Sequence, residues 1–306
     1  MEAGTVQAPS APRAPRVGIR LPGVSAGLGR GIVVLYLSLL VLLPLAALAA
    51  KSVSLGLGHF WAQVTTPAAI NALELTLVAS LIVVIVNGFF GTVLAWILVR
   101  DEFPGKSIVN AVIDLPFALP TIVASLILIE LWGKHSPLGI DISLSRTAVV
   151  VALMFVTLPF VVRAVQPLLM EMDREMEEAA ASLGAGGFTI FRRVIFPNLL
   201  PGLAAGVALA FARALGEFGS VLLFAGGLAD TQVSSIYIKQ LIEQGNESGA
   251  AAVSMVLLAA SLLVLLLVGL IQRWGSRHER SGGAGLTVMP MSGIEPQPER
   301  EEDERE

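Results

Sequence analysis

Two ionisable residues lie where the chain otherwise offers oil: Arg213 and Glu217, in "ARALGEFGSVLLFAG" at 212–226. Four residues apart on a helix, they share a face. A charge at the bilayer centre costs about 2.5–3.5 kcal/mol on insertion scales, so such residues face a cavity or a partner. Two readings stay open. Arg213 is a cationic point in an anion pathway, tempered by Glu217, or the two form a structural pair that locks this helix to a neighbour. Conduction needs weak, transient binding. A bare arginine would hold a dianion too strongly, which favours a moderated site or the structural pair. Gly216 and Gly219 flank the acid and allow close helix packing. Asp114 and Arg163 lie near corresponding ends of antiparallel runs and are expected to pair structurally. Pro116 and Pro120 remove backbone donors inside an apolar run, a break tolerated only where protein or a cavity re-satisfies the backbone. Pro116, Pro120 and Thr121 are therefore pathway candidates, with a plain kink as the alternative.

Other chemistries are poorly served. The chain has no cysteine, so disulfides, thiolate metal sites and thiol nucleophiles are excluded. His59, His135 and His278 are scattered without metal-ligand spacing. No phosphate-cradling GxxxxGK[ST] occurs, so ATP hydrolysis is not expected of this chain. Neither a metal nor a cofactor is expected. A net charge of −4 makes no case for nucleic acid. The 306 residues are 55% hydrophobic and 14% charged, against about 25% charged in soluble domains. The solvent implied is lipid.

A bilayer core needs about 20 mostly apolar residues per helix. Six runs qualify: 31–50, 73–99, 108–132, 147–169, 199–225 and 249–272. The second is long enough to tilt or to extend past the membrane. The first run and the region before it are longer than those of a secretory signal, so it reads as a span despite the small residues that end it. Segments on one side (1–30, 100–107, 170–198, 273–306, with Arg163 at an edge) hold 15 Lys and Arg; the other side holds four, Lys51, Lys134, Arg146 and Lys239. The positive-inside rule then puts both termini in the cytoplasm. Residues 1–29, and the acidic stretch 276–306, lack apolar periodicity and are expected to be disordered tails.

Between the fourth and fifth runs lies "EEAAASLGAGGFTIFRRVIFPNLLPG". From Glu171, acids crowd the first turns of a short helix, where they favour the dipole, and alanines carry it on. Gly184 is placed to stop it. "FTIFRRVIF" reads as a second short helix that Pro197 ends. The expected form is helix, tight turn, helix, at the cytoplasmic face. Ala179, Ala180 and Ala181 lack bulk, which suits docking into a groove of a partner. A helix lying flat on the membrane is the other reading.

This stretch resembles the cytoplasmic signature of ABC importer permease subunits: Glu-Ala-Ala, three residues, Gly, nine residues, Ile, one residue, Leu-Pro. Here Glu178, Ala179, Ala180, Gly184, Val194, Phe196 and Pro197 stand at the matching positions, with Val and Phe replacing Ile and Leu. "DLPFALPTIVASL", "LPFVVRAVQPLLMEMD", "ARALGEFGSVLLFAG" and "GAAAVSMVLL" look like sulfate permeases of the T-subunit type. Molybdate permeases share "ALGEFG" and the loop; "PFALPT" looks more like sulfate. The resemblance implies an all-α membrane protein of six transmembrane helices with the type I (MetI-like) importer fold over residues 30–275. It implies that loop 171–198 couples to two ATPase copies. A second permease, identical or paired, and an extracytoplasmic sulfate-binding protein complete the implied assembly in the cell membrane. The cargo implied is sulfate or thiosulfate, with molybdate or tungstate as the alternative. An ATPase-independent secondary anion transporter is a further reading; many of those show inverted repeats, and none is evident here.

Overall fold

The structure is a computed structural model that describes residues 23–282. The expected tails lie outside the described residues except at their inner ends, where helix already runs at Gly23 and continues to Gly282. The described chain is helical, with no strand among those residues. It divides into two compact units at Lys51/Ser52.

The first unit is one apolar rod: α1 (Gly23–Leu37), a π-turn at Ser38–Leu42, and α2 (Leu43–Ser52). In the π-turn, Leu43 N–H reaches back five residues to Ser38 O. Pro44 follows at once. A proline inside a helix has no N–H and its ring crowds the carbonyl four residues back. Widening the preceding turn by one residue relieves that clash without breaking the rod.

The second unit is a bundle around α7 (Arg146–Glu171), with α4 (Pro67–Arg100) and α10 (Phe196–Leu215) packed on it. Buried Val161, Val162 and Val165 of α7 meet Leu98 of α4 and Leu199 and Phe211 of α10. At mid-helix, Asn87 Nδ2 of α4 donates to Met154 O and Thr157 Oγ1 of α7, at 3.0 and 2.9 Å. A buried amide so satisfied pins two helices where apolar surfaces alone would slide. At the far end, α3 (Leu57–Val64) packs on α13 (Glu247–Gly282), as does α12 (Ser234–Glu243).

Among the described residues, five helices are long and apolar enough to cross a membrane: Gly27–Ser52, Pro67–Arg100, Arg146–Glu171, Gly187–Leu215 and Glu247–Leu270. The expected third run, 108–132, is not one helix. It is α5 (Lys106–Ala118) and the shorter apolar α6 (Thr121–Trp132). Leu119 between them is extended (φ −88°, ψ 135°), the conformation a following proline imposes. The expected fifth run also differs. It begins earlier, at Gly187, and α10 stops at Leu215; a separate short helix α11 (Gly219–Phe224) follows.

Pro197 does not end a helix as the sequence suggests. After α9 (Gly187–Ile190), a π-turn at Phe191–Ile195 lets Phe196 N–H bond to Phe191 O, and α10 runs on through Pro197. The arrangement repeats that before Pro44: a five-residue reach in the residue just before the proline.

Candidate functional site

Two places gather the residues singled out from the sequence. The first is the loop after α7. The expected helix from Glu171 is split: α7 itself reaches Glu171, Met172 is extended, and α8 (Arg174–Ser182) starts afresh. Asp173 caps it, its Oδ1 accepting from Glu175 N–H at 2.9 Å. Gly184 stops α8 with φ +83°. Gly184 N–H bonds Ala181 O and Ala185 N–H bonds Ala180 O, at 2.9 and 3.1 Å. These paired bonds use the orphan carbonyls of the last turn, and a left-handed residue at Gly184 is what they require.

Glu178, Ala179 and Gly184 are exposed on this knuckle, and Ala180 is half-buried. Val194 is half-buried, and Phe196 and Pro197 are exposed at the start of α10. Sequence reasoning missed the residues that fasten and crown the knuckle. Glu177 forms an ion pair with Arg100 at the end of α4. The Arg100 guanidinium also lies 5.3 Å from the Trp96 ring, and Phe191 meets Trp96 edge-on at 6.0 Å. The tip itself is apolar and bare: Leu183 is 89% exposed and Phe188 76%. The signal for Leu183 was its place beside the capping glycine.

The second place is where the two interrupted runs meet. α6 packs against α11. A β-carbon on Gly219 would lie 2.8 Å from Ile122 N and 2.9 Å from Thr121 Cβ, so only glycine fits this contact. Ser125 Oγ lies within 2.6 and 2.7 Å of Gly219 O and Ser220 O, sharing its proton between them. The breaks after Leu119 and Leu215 are therefore one feature, built by two segments about a hundred residues apart in sequence.

Glu217 sits in this break, not in mid-helix as expected. It is 2% exposed. Its Oε1 accepts from Ser220 N–H at 2.9 Å, which satisfies a free donor at the start of α11. Its Oε2 is 2.6 Å from an Arg213 guanidinium nitrogen, an ion pair. Its backbone carbonyl accepts from Ser235 Oγ at 2.6 Å. Glu217 is thus bound into the fold on every side, while the Arg213 side chain stays 32% exposed. Thr121 is brought to the junction, Pro120 precedes it, and Pro116 lies a turn back inside α5.

The expected partner of Asp114 is found. Arg163 grips it through both carboxylate oxygens, at 2.8 and 2.6 Å. Asn110 adds its side-chain and backbone oxygens, both at 3.1 Å from the guanidinium, and Gln166 also accepts. The grip ties α5, the first half of the broken run, to α7.

A bundle of apolar spans, interrupted twice at one buried junction and bearing a bare helical knuckle at one end, defines a multi-pass membrane transport component. The chain belongs to the family described as binding-protein-dependent transport system inner membrane component, whose model matches residues 87–277. It is 46% identical, over 81% of its length and 89% of the relative's, to a protein of Synechocystis sp. named sulfate transport system permease protein CysT. Proteins of the same name from Salmonella typhimurium and Escherichia coli are 43% and 42% identical, each over 84% of this chain and 95% of theirs. In fold it is similar to a chain of a bacterial ABC transporter that imports the polysaccharide alginate, with a TM-score of 0.67 at 17% identity, covering 82% of this chain and 94% of that one.

Proposed function

We propose that this chain is the permease subunit of an ATP-driven importer of sulfate, with thiosulfate as a related cargo. The observation that carries the reading is 46% identity across four-fifths of the chain to a protein named as a sulfate transport permease. The geometry supports a division of labour. The knuckle of Glu178, Ala179, Ala180 and Gly184 docks into a cleft of an ATPase partner, with Leu183 and Phe188 as its apolar contacts. Val194, Phe196 and Pro197 carry the motion into α10, whose far end is Arg213. Arg213, Thr121, Pro116 and Pro120 border the pathway. Glu217 positions Arg213 and withdraws part of its field, so that a dianion is attracted and still released.

Coupling of this kind is reciprocal. Nucleotide closes two ATPase copies, the docked knuckles move, and two permeases swing about a central cavity. An extracytoplasmic binding protein delivers the anion on the side opposite the knuckle. Both termini lie in the cytoplasm of a cell that carries the chain in its plasma or inner membrane, as the basic residues are distributed.

Two measurements test this. Labelled sulfate uptake is compared in cells with and without the chain, against excess thiosulfate and molybdate. Competition by thiosulfate with little effect of molybdate is expected; dominant competition by molybdate would replace sulfate as cargo. In the assembled complex, Gly184→Trp should abolish the stimulation of ATP hydrolysis by loaded binding protein while membrane insertion stays normal. Undiminished stimulation would count against the knuckle as the coupling element.

A further inference from the structure

At the end of the bundle opposite the Gly184 knuckle, α4 and α7 part around a cavity of about 210 Å³. Its lining changes character with depth. Asn71, Glu74 and Arg146 stand near the helix ends, and Leu75, Val78 and Ile82 continue the same stripe of α4 toward the bundle middle. The spacing of three and four residues keeps them on one face. From 71 to 82 the stripe descends about 16 Å at 1.5 Å per residue. A polar end leading into an apolar slot is the layout of a single lipid: headgroup first, acyl chain after.

The charges narrow the choice. Glu74 is exposed, about 10 Å inside the start of α4 at 1.5 Å per residue. α4 is about 50 Å long at 1.5 Å per residue, well beyond the roughly 30 Å hydrocarbon core, so Glu74, at the edge of the apolar run 73–99, stands at headgroup level. Among the described residues Glu74 forms no ion pair. Arg146, in the same cavity, donates through Nε to Asp230 O at 3.1 Å and forms no ion pair among the described residues either. The cavity thus holds one acid and one base that do not neutralise each other.

We propose that this cavity is a binding site for phosphatidylethanolamine. The primary ammonium meets Glu74 and the Asn71 side-chain oxygen, the phosphate meets Arg146, and an acyl chain lies along Leu75, Val78 and Ile82. A purely anionic lipid would satisfy Arg146 and leave Glu74 repelled. A choline headgroup has no N–H to donate to a carboxylate.

The test uses the full-length chain in its assembled complex, stripped of lipid in detergent and titrated with phosphatidylethanolamine, phosphatidylcholine or phosphatidylglycerol. Retention is read by native mass spectrometry. Phosphatidylethanolamine should bind about tenfold more tightly than the other two, as expected for one charge-assisted hydrogen bond. Glu74→Gln should erase that preference, and Arg146→Gln should weaken all three lipids. Val78→Trp should block the slot with both charges intact, so the proposal stays testable should a charge variant fold poorly. Equal retention of the three lipids by the wild type would overturn it. So would a preference that survives Glu74→Gln or Val78→Trp. A photo-crosslinker at position 78 that captures a second protein chain would also overturn it, since the cavity would then be a subunit interface. Sulfate uptake is not a readout here, so failure leaves the transport reading untouched.

Discussion

The Gly184 knuckle and the break at Glu217 are both interruptions of helix, and they satisfy the freed backbone in opposite ways. At the knuckle every bond that satisfies the freed backbone is local. Ala180, Ala181, Gly184 and Ala185 close the turn among themselves, and Asp173 caps the other end. A turn that completes its own hydrogen bonds needs no cover, so it stands bare with Leu183 at its tip. At the break Glu217 serves the Ser220 N–H locally, but the freed carbonyls are served from afar. Ser125 serves carbonyls across 94 and 95 residues of sequence, and Ser235 serves Glu217 O. Such a break exists only inside the packed bundle. The difference teaches where each can act: the knuckle can be gripped and moved as a unit, while the break holds two half-spans in register.

That contrast is open to attack, beginning with the break. Glu217→Ala leaves the buried Ser220 N–H without its acceptor and Arg213, one-third exposed, without its counter-ion, and should cost about 2–3 kcal/mol. Thermal unfolding in detergent would read it; an unchanged melting temperature would remove Glu217 from the support of the junction. Gly219→Ala drives a methyl against Ile122 N and Thr121, an overpacking worth about 1–3 kcal/mol. Gly184→Ala meets no atom within 4 Å and suffers only the positive φ, about 1 kcal/mol. If Gly184→Ala proved the more destabilising of the two in the same melting experiment, the local-versus-remote distinction would be wrong.

Smaller still is the strap between knuckle and bundle. Arg100→Gln should lower stability by about 1 kcal/mol. It should reduce binding-protein-stimulated ATP hydrolysis by more than its effect on folding, because the Glu177 tie that fixes the knuckle to α4 is lost. Equal loss in both readouts would make the pair merely structural. The least effect is expected at Asp141, in the loop before α7. Ser143 donates its hydroxyl and then its backbone N–H to Asp141 Oδ1, at 2.6 and 3.0 Å, and holds the carboxyl below the ordinary aspartate range. A depressed folded-state pKa contributes stability above the unfolded value, lost as pH falls through the folded one. Carbon-detected titration of Asp141 should show the low value, and Ser143→Ala should raise it.

Much of this was legible in the residues. The apolar runs, the knuckle with Gly184 at its turn, and the Asp114–Arg163 pair follow from composition, spacing and capping chemistry, all of which act over a few residues or between ends of runs that must lie side by side. Pro116 and Pro120 raised a break or a kink in the third run, and the extended Leu119 decides for the break. The continuation of α10 through Pro197 was not legible, because a proline has two outcomes: it ends a helix, or a widened turn just before it absorbs the clash. Packing of Ile195 and Leu199 into the bundle core selects the second.

By itself the sequence determined a chain that lives in lipid and turns back at a glycine-capped knuckle, since hydropathy and capping are properties of neighbouring residues. Only the tertiary structure decided that the third and fifth runs break at one shared junction, that Glu217 is fastened there while Arg213 stays reachable, and that Glu177 ties down the knuckle. Those depend on which atoms of distant segments come within hydrogen-bonding distance, and that is settled by packing the whole bundle at once.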